Sequence, residues 1–177
     1  MPAMTRIADV ATFLAIATVA FVAMELVTYA AHRWVMHGPL ENLHNGHHRN
    51  AARAVPKRGL ESNDVFPLAF SIVVMAGLWV GFNVDGMSWL VAVCAGVTMY
   101  GVAYTLVHDG VIHGRIPGMS RISSGTAVRL ADAHQTHHRT NAEPYGMLWP
   151  QWTLRRESQD SASLRTGSRP SHVPADQ

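Results

Sequence analysis

HRWVMHGPLENLHNGHH, spanning His32–His48, places five histidines in seventeen residues. The same order returns as HDGVIH at His108–His113 and HQTHH at His134–His138. Written as spacing, H-x4-H and H-x2-H-H occur twice, in that order. Ten of the eleven histidines fall in these clusters: His32, His37, His44, His47, His48, His108, His113, His134, His137 and His138. Only His172 lies outside. A neutral imidazole nitrogen binds Zn, Cu, Fe or Ni. A lone H-x4-H pair describes two ordinary surface histidines, but a repeated pair-and-triple order is hard to obtain by chance. Ten imidazoles suit more than one metal ion.

The spacing has a helical logic. On an α-helix, positions i, i+3 and i+4 share one face. In His44/His47/His48 and in His134/His137/His138, three imidazoles are therefore expected to point one way. The pairs His32/His37 and His108/His113 are five apart, about 140° around an α-helix. They share a face if the helix ends or unwinds at the second histidine. Gly38-Pro39 and Gly114 supply breaker signals at those points.

The segments between the clusters are apolar. Ile7–Ala31 is broken only by Asp9, Glu25 and small polar residues, while Phe66–Phe82 and Met87–Val107 carry no charge. Their lengths suit membrane-spanning helices, which need about 20 residues. Charged residues are 15% of the chain, against about 25% in soluble domains. The first run is too long for a signal-peptide core and leads straight into a histidine pair, so it is expected to be retained. The first run ends at His32, the second begins after the first triple, and the third ends at His108. All ten histidines then meet at one membrane face. The expected fold is an all-α integral membrane bundle with a His-rich dimetal site.

Charge predicts the side. Of fourteen Lys and Arg, only Arg6 precedes the first run and none lies in the Asn83–Gly86 link. The other thirteen accompany the histidines, which places the metal face in the cytoplasm. That distribution around apolar runs also argues against nucleic acid as the reason for a pI of about 9.0. Arg115–Ala133 is too polar for a fourth span. Tyr145–Trp152 is too short to cross, though its aromatics suit the interface. Residues 1–152 form the expected membrane domain, and 153–177, rich in Ser, Arg, Pro and Gln, an expected disordered tail. Cys94, the single cysteine, sits in an apolar run and reads as a small buried hydrophobe.

Three carboxylates are candidate partners of the ligands. Glu25 lies two turns deeper than His32 on the same face, and both a supporting role and simple interface placement fit it. Asp109 precedes His113 by four and is positioned to accept its free ring N–H. Asp132 precedes His134 by two. Asn63 and Asp64 fit helix capping better than metal binding. Tyr100, Tyr104, Trp79 and Trp89 suit either a substrate groove or the core. Gly77-x3-Gly81 suits close helix packing.

Histidine-held metal beside lipid-facing helices points to oxygen activation on an apolar substrate. Oxidation of an unactivated C–H bond needs a redox metal, which favours iron over zinc. The chain resembles the bacterial β-carotene hydroxylases, within the fatty acid hydroxylase superfamily of membrane non-haem di-iron enzymes. The resemblance rests on MELVTYAAHRWVMHG (Met24–Gly38), HNGHH, ESND (Glu61–Asp64), MYGVAYTLVHDGVIH (Met99–His113), AHQTHH and YGMLWP. It departs at Asn45-Gly46, where the family often has an acidic or larger residue, and in the polar tail. It implies that the ten clustered histidines bind two iron ions and that O2 is co-substrate. It further implies hydroxylation at C3 of the β-ionone ring, giving β-cryptoxanthin and then zeaxanthin. Electrons would come from a ferredoxin-type donor, and the enzyme would sit in the inner membrane with its carotenoid substrate. A carotenoid 4-ketolase and a fatty-acid or sterol hydroxylase are alternatives with a related site. A metal transporter fits less well, because transporters hold ligands near the bilayer midplane. A bis-histidine haem carrier also fits less well, since it needs no H-H doublets.

Overall fold

The computed structural model describes residues 3–51 and 59–149, with side chains described over 9–49 and 59–149. The tail at 153–177, His172, Trp152 and Lys57 lie outside the described residues. Every regular element among the described residues is helical. Helix α1 (Ala3–Ala30) runs into a π-helical turn, Ala31–Met36. Helix α2 (Glu41–Ala51) carries the first triple. After a 3-10 turn at Ser62–Asp64 come α3 (Val65–Asn83) and α4 (Trp89–Thr105). Helix α4 continues as a second π turn, Leu106–Ile112, and α5 (Gly125–Thr140) carries the last triple. Ser124 caps α5 by accepting the Ala127 N–H at 3.2 Å, and Asn141 ends it in the left-handed region.

Three helices are long and apolar enough to cross a membrane: Asp9–Met36, Ser62–Asn83 and Trp89–Ile112. Only 17%, 11% and 22% of their apolar windows are buried, so most of that surface faces outward, as lipid-facing helices require. Without a hydrophobic drive between helices in lipid, small residues set the contacts. A Cβ at Gly96 would stand 2.2 Å from the Ala17 carbonyl oxygen, so α4 meets α1 at backbone distance. On the other side of α4, Gly77 and Gly81 of α3 face Cys94 and Val91. Cys94 is buried in that contact.

Along α1 the inward stripe is Ala17, Met24, Glu25 and His32; along α4 it is Ala92, Gly96, Tyr100 and His108. Each stripe is apolar or small at depth and ends in a histidine. The close α1–α4 contact thus aims two histidines at one place. Helices α2 and α5 are too polar to span and lie over that end. Asn45-Gly46 does not interrupt α2, and a Cβ at Gly46 would stand 3.2 Å from Ser62 Oγ.

Candidate metal centre

The two π turns solve the five-residue spacing. His37 N–H donates to the His32 carbonyl at 3.1 Å, and His113 N–H to that of His108 at 3.0 Å. These i→i+5 bonds widen the turn so that the residue five positions on stacks over the first. The pairs therefore share a face by widening before the glycines rather than by breaking at them. Ring centroids lie 5.1 Å apart in the first pair and 4.5 Å in the second.

The histidines form two groups, each with ligand nitrogens within 4.8 Å of one another. One contains His32, His37, His44, His48 and His137; the other contains His47, His108, His113 and His134. His138 stands beside the second, its Nε2 2.8 Å from that of His134. The triples do not each serve one group, contrary to the spacing argument. Positions i and i+4 stay together, but the middle member crosses: His47 joins the histidines of the α4 end and His137 joins those of the α1 end. The reason is the angular offset of i+3 from i and i+4, which matters when two groups lie side by side.

Hydrogen bonds settle the tautomers. His32 Nδ1–H donates to the Tyr145 carbonyl at 3.0 Å, and His44 Nδ1–H to Asn63 Oδ1 at 2.7 Å. Both rings then present bare Nε2 lone pairs, which face each other at 3.1 Å. Similarly, His137 Nδ1–H donates to the Ala142 carbonyl at 2.6 Å while its Nε2 lies 3.1 Å from that of His37. Facing lone pairs repel unless a cation lies between them. Two nitrogens at right angles on one ion, each bonded at about 2.1 Å, stand about 3.0 Å apart. His44 and His48 meet at 3.0 Å as well. In the second group, His47 Nε2, His113 Nε2 and His134 Nδ1 are buried without a hydrogen-bond partner. Such atoms call for a ligand, and the donor set fits a metal.

Electrostatics agree with this. Burial holds His44 and His137 down to about 4 and His48 to about 3. His47, His113, His134 and His138 are lowered by burial and by their histidine neighbours. All are neutral at pH 7, the form that binds metal.

The supporting residues differ in part from those expected. Asp109 accepts from His108 Nδ1 at 2.9 Å, not from His113, because the π turn carries His113 inward. Arg115 holds Asp64 bidentately at 2.8 Å and reaches Asp109 at 3.4 Å. Glu25 touches no histidine directly. It accepts from Tyr100 Oη at 2.6 Å and from backbone N–H groups of Met147, Leu148 and Trp149 at 2.7–3.1 Å. Asp132 is exposed on α5, outside the two groups. Asn63, expected to cap a helix, instead orients His44, while Asp64 accepts the Glu61 N–H at 2.8 Å. Glu61 Oε2 lies 3.4 Å from His47 Nδ1. No local spacing signalled the carbonyls of Ala142 and Tyr145. Tyr100 belongs to the core, Tyr104 stacks on His108 at 4.8 Å, and Trp79 and Trp89 face outward.

The fatty acid hydroxylase family matches residues 17–154, which include all ten clustered histidines. A β-carotene hydroxylase of Paracoccus sp. (strain N81106 / MBIC 01143) is 35% identical over 149 residues, 80% of this chain and 88% of the relative. A β-carotene hydroxylase of Pantoea ananas is 34% identical over 68% of this chain and 65% of its own length. The chloroplastic β-carotene hydroxylase 1 of Capsicum annuum is 35% identical over 76% of this chain and 42% of its own. No solved structure matches the chain.

Proposed function

The chain belongs to the fatty acid hydroxylase family, and on that premise we propose that it hydroxylates C3 of the β-ionone rings of β-carotene. The products would be β-cryptoxanthin and then zeaxanthin. The observation that carries this reading is a pair of converging histidine groups at the end of apolar helices, in a chain similar to β-carotene hydroxylases over most of its length.

Two iron ions, when bound, would supply O2 activation and hydrogen removal from an unactivated ring carbon. His32, His37, His44, His48 and His137 would hold one ion. His47, His108, His113 and His134 would hold the other, with His138 beside them. His47 and His137 cross between the groups, so the backbones of α2 and α5 set the distance between the sites. Outward Nδ1 partners of His32, His44, His47, His108 and His137 keep their Nε2 atoms free to bind. Burial of His44, His47, His108, His134 and His137 keeps bulk water from the centre. Helices α1 and α4 run from the apolar layer to the site, the direction from which a bilayer-dissolved ring arrives. Each hydroxylation consumes one O2, two electrons and two protons. One oxygen atom enters the C–H bond and the other leaves as water. A ferredoxin-type protein would supply the electrons at the cytoplasmic face of the inner membrane.

The test is expression in a bacterial host that accumulates β-carotene, followed by pigment analysis under oxygen-18 gas. A singly hydroxylated carotenoid should precede the diol, and each hydroxyl should carry the label. Untouched β-carotene beside folded, iron-loaded protein and a working donor would overturn the assignment. A 4-keto product would replace it with the ketolase reading.

A further inference from the structure

We propose that Glu25 is a positioning residue whose clamp on residues 147–149 sets the orientation of His32 and His137 in the five-histidine group. The inference rests on the metal-binding reading of that group and not on the substrate.

Glu25 is buried, 7% exposed, within the first span. A carboxylate there is costly unless its oxygens are matched by donors. Here both oxygens act as acceptors. Oε1 takes N–H groups from Met147 at 2.7 Å, Leu148 at 3.1 Å and Trp149 at 3.1 Å. Oε2 takes Leu148 N–H at 3.1 Å and Tyr100 Oη at 2.6 Å. Three successive backbone donors converging on one carboxylate form an anion cradle. Its approach is close, since a Cβ at Gly146 would stand 2.9 Å from Oε1.

The clamped stretch follows α5 directly and has no regular structure of its own. Its upstream end is held at Glu143, whose Oε1 accepts Tyr29 Oη at 2.7 Å and Arg33 at 2.8 Å. Between that anchor and the Glu25 cradle lies Tyr145, whose carbonyl fixes His32. The Ala142 carbonyl, which fixes His137, lies one residue upstream. The Tyr145 ring also packs against His32, His37 and His137, at 5.1–5.5 Å between centroids. An irregular strap with so few internal bonds keeps its shape only through such anchors. Glu25 therefore acts on two ligands of one group and on none of the other, whose partners are Glu61 and Asp109.

The test uses the full chain in detergent, loaded with Fe(II) or with Co(II) as a spectroscopic probe. Glu25→Leu removes every acceptor without adding bulk. Gly146→Val puts a branched side chain against the carboxylate, where even a Cβ would stand 2.9 Å from Oε1, so strap and carboxylate must part. Wild type should bind two ions per chain. Each variant should keep one tight ion and hold the other about 10–100-fold more weakly, the usual cost of losing an orienting partner. In the same variants the amides of 147–149 should lose hydrogen-exchange protection in the metal-free protein. Two tight ions with intact protection in Gly146→Val would overturn the clamp even if Glu25→Leu fails to fold. Loss of both ions together would overturn its selectivity for one group. A folded wild type that binds no metal would instead overturn the metal-binding reading itself, which separates the two failures.

Discussion

His32 and His44 show how single side chains make this site. Each donates outward through Nδ1, so each is committed to the tautomer that offers Nε2 inward. Burial adds a second commitment, to the neutral form. Unfolded, these histidines take up protons near pH 6.5; folded, His44 and His137 do so near 4 and His48 near 3. Below pH 6.5 the unfolded chain therefore binds more protons than the folded one. Stability of the metal-free protein falls as pH drops from 6.5 toward 4. Thermal unfolding in detergent, stepped from about pH 7.5 down to the folded values, should show a falling midpoint. A midpoint indifferent to pH across that window would contradict the neutral-imidazole picture.

Among elements, the junctions matter more than the helices. Each of α1 and α4 ends in a π turn that converts a five-residue spacing into a shared face, and each turn delivers two histidines to the groups that could hold metal. For the two turns to meet, the helices beneath them must be in backbone contact, and Gly96 against Ala17 provides that contact. Gly96→Leu would put a side chain where even a Cβ lies 2.2 Å from a carbonyl oxygen. The helices must then part, which separates His32 from the α4 ligands. We expect a stability loss of at least roughly 1–3 kcal/mol from overpacking, read as a lower unfolding midpoint, and weaker metal retention at both groups. Wild-type metal content and stability in this variant would mean that α1 and α4 are not held at this point.

Across the whole molecule, three apolar helices bring the histidine layer to one end and leave the link between α3 and α4 at the other. In a Cys94→Ala background, Asp85→Cys should react with an impermeant maleimide from the periplasmic side of intact cells. Leu60→Cys, an exposed position beside the metal layer, should react only after the membrane is opened. Reaction of both in intact cells would rule out three crossings, and the reverse pattern would invert the orientation drawn from the arginines.

The helical class, the three apolar runs and the gathering of the clustered histidines at one end were all legible in the chain order. Apolar run length is a local property, and ligand spacing is local within a turn. The partition of the histidines was not legible. His47 and His137 leave their own triples because two groups lie side by side, an arrangement that exists only once α2 and α5 cover the same end of the bundle. The tautomer-setting partners were hidden for a similar reason. Asn63 is nineteen residues from His44, and Tyr145 is 113 from His32. A backbone carbonyl carries no residue-type signal at all. Glu25 stood out as a carboxylate in an apolar run. Its partners, three N–H groups more than 120 residues away, are supplied by a strap whose path only the packed helices determine.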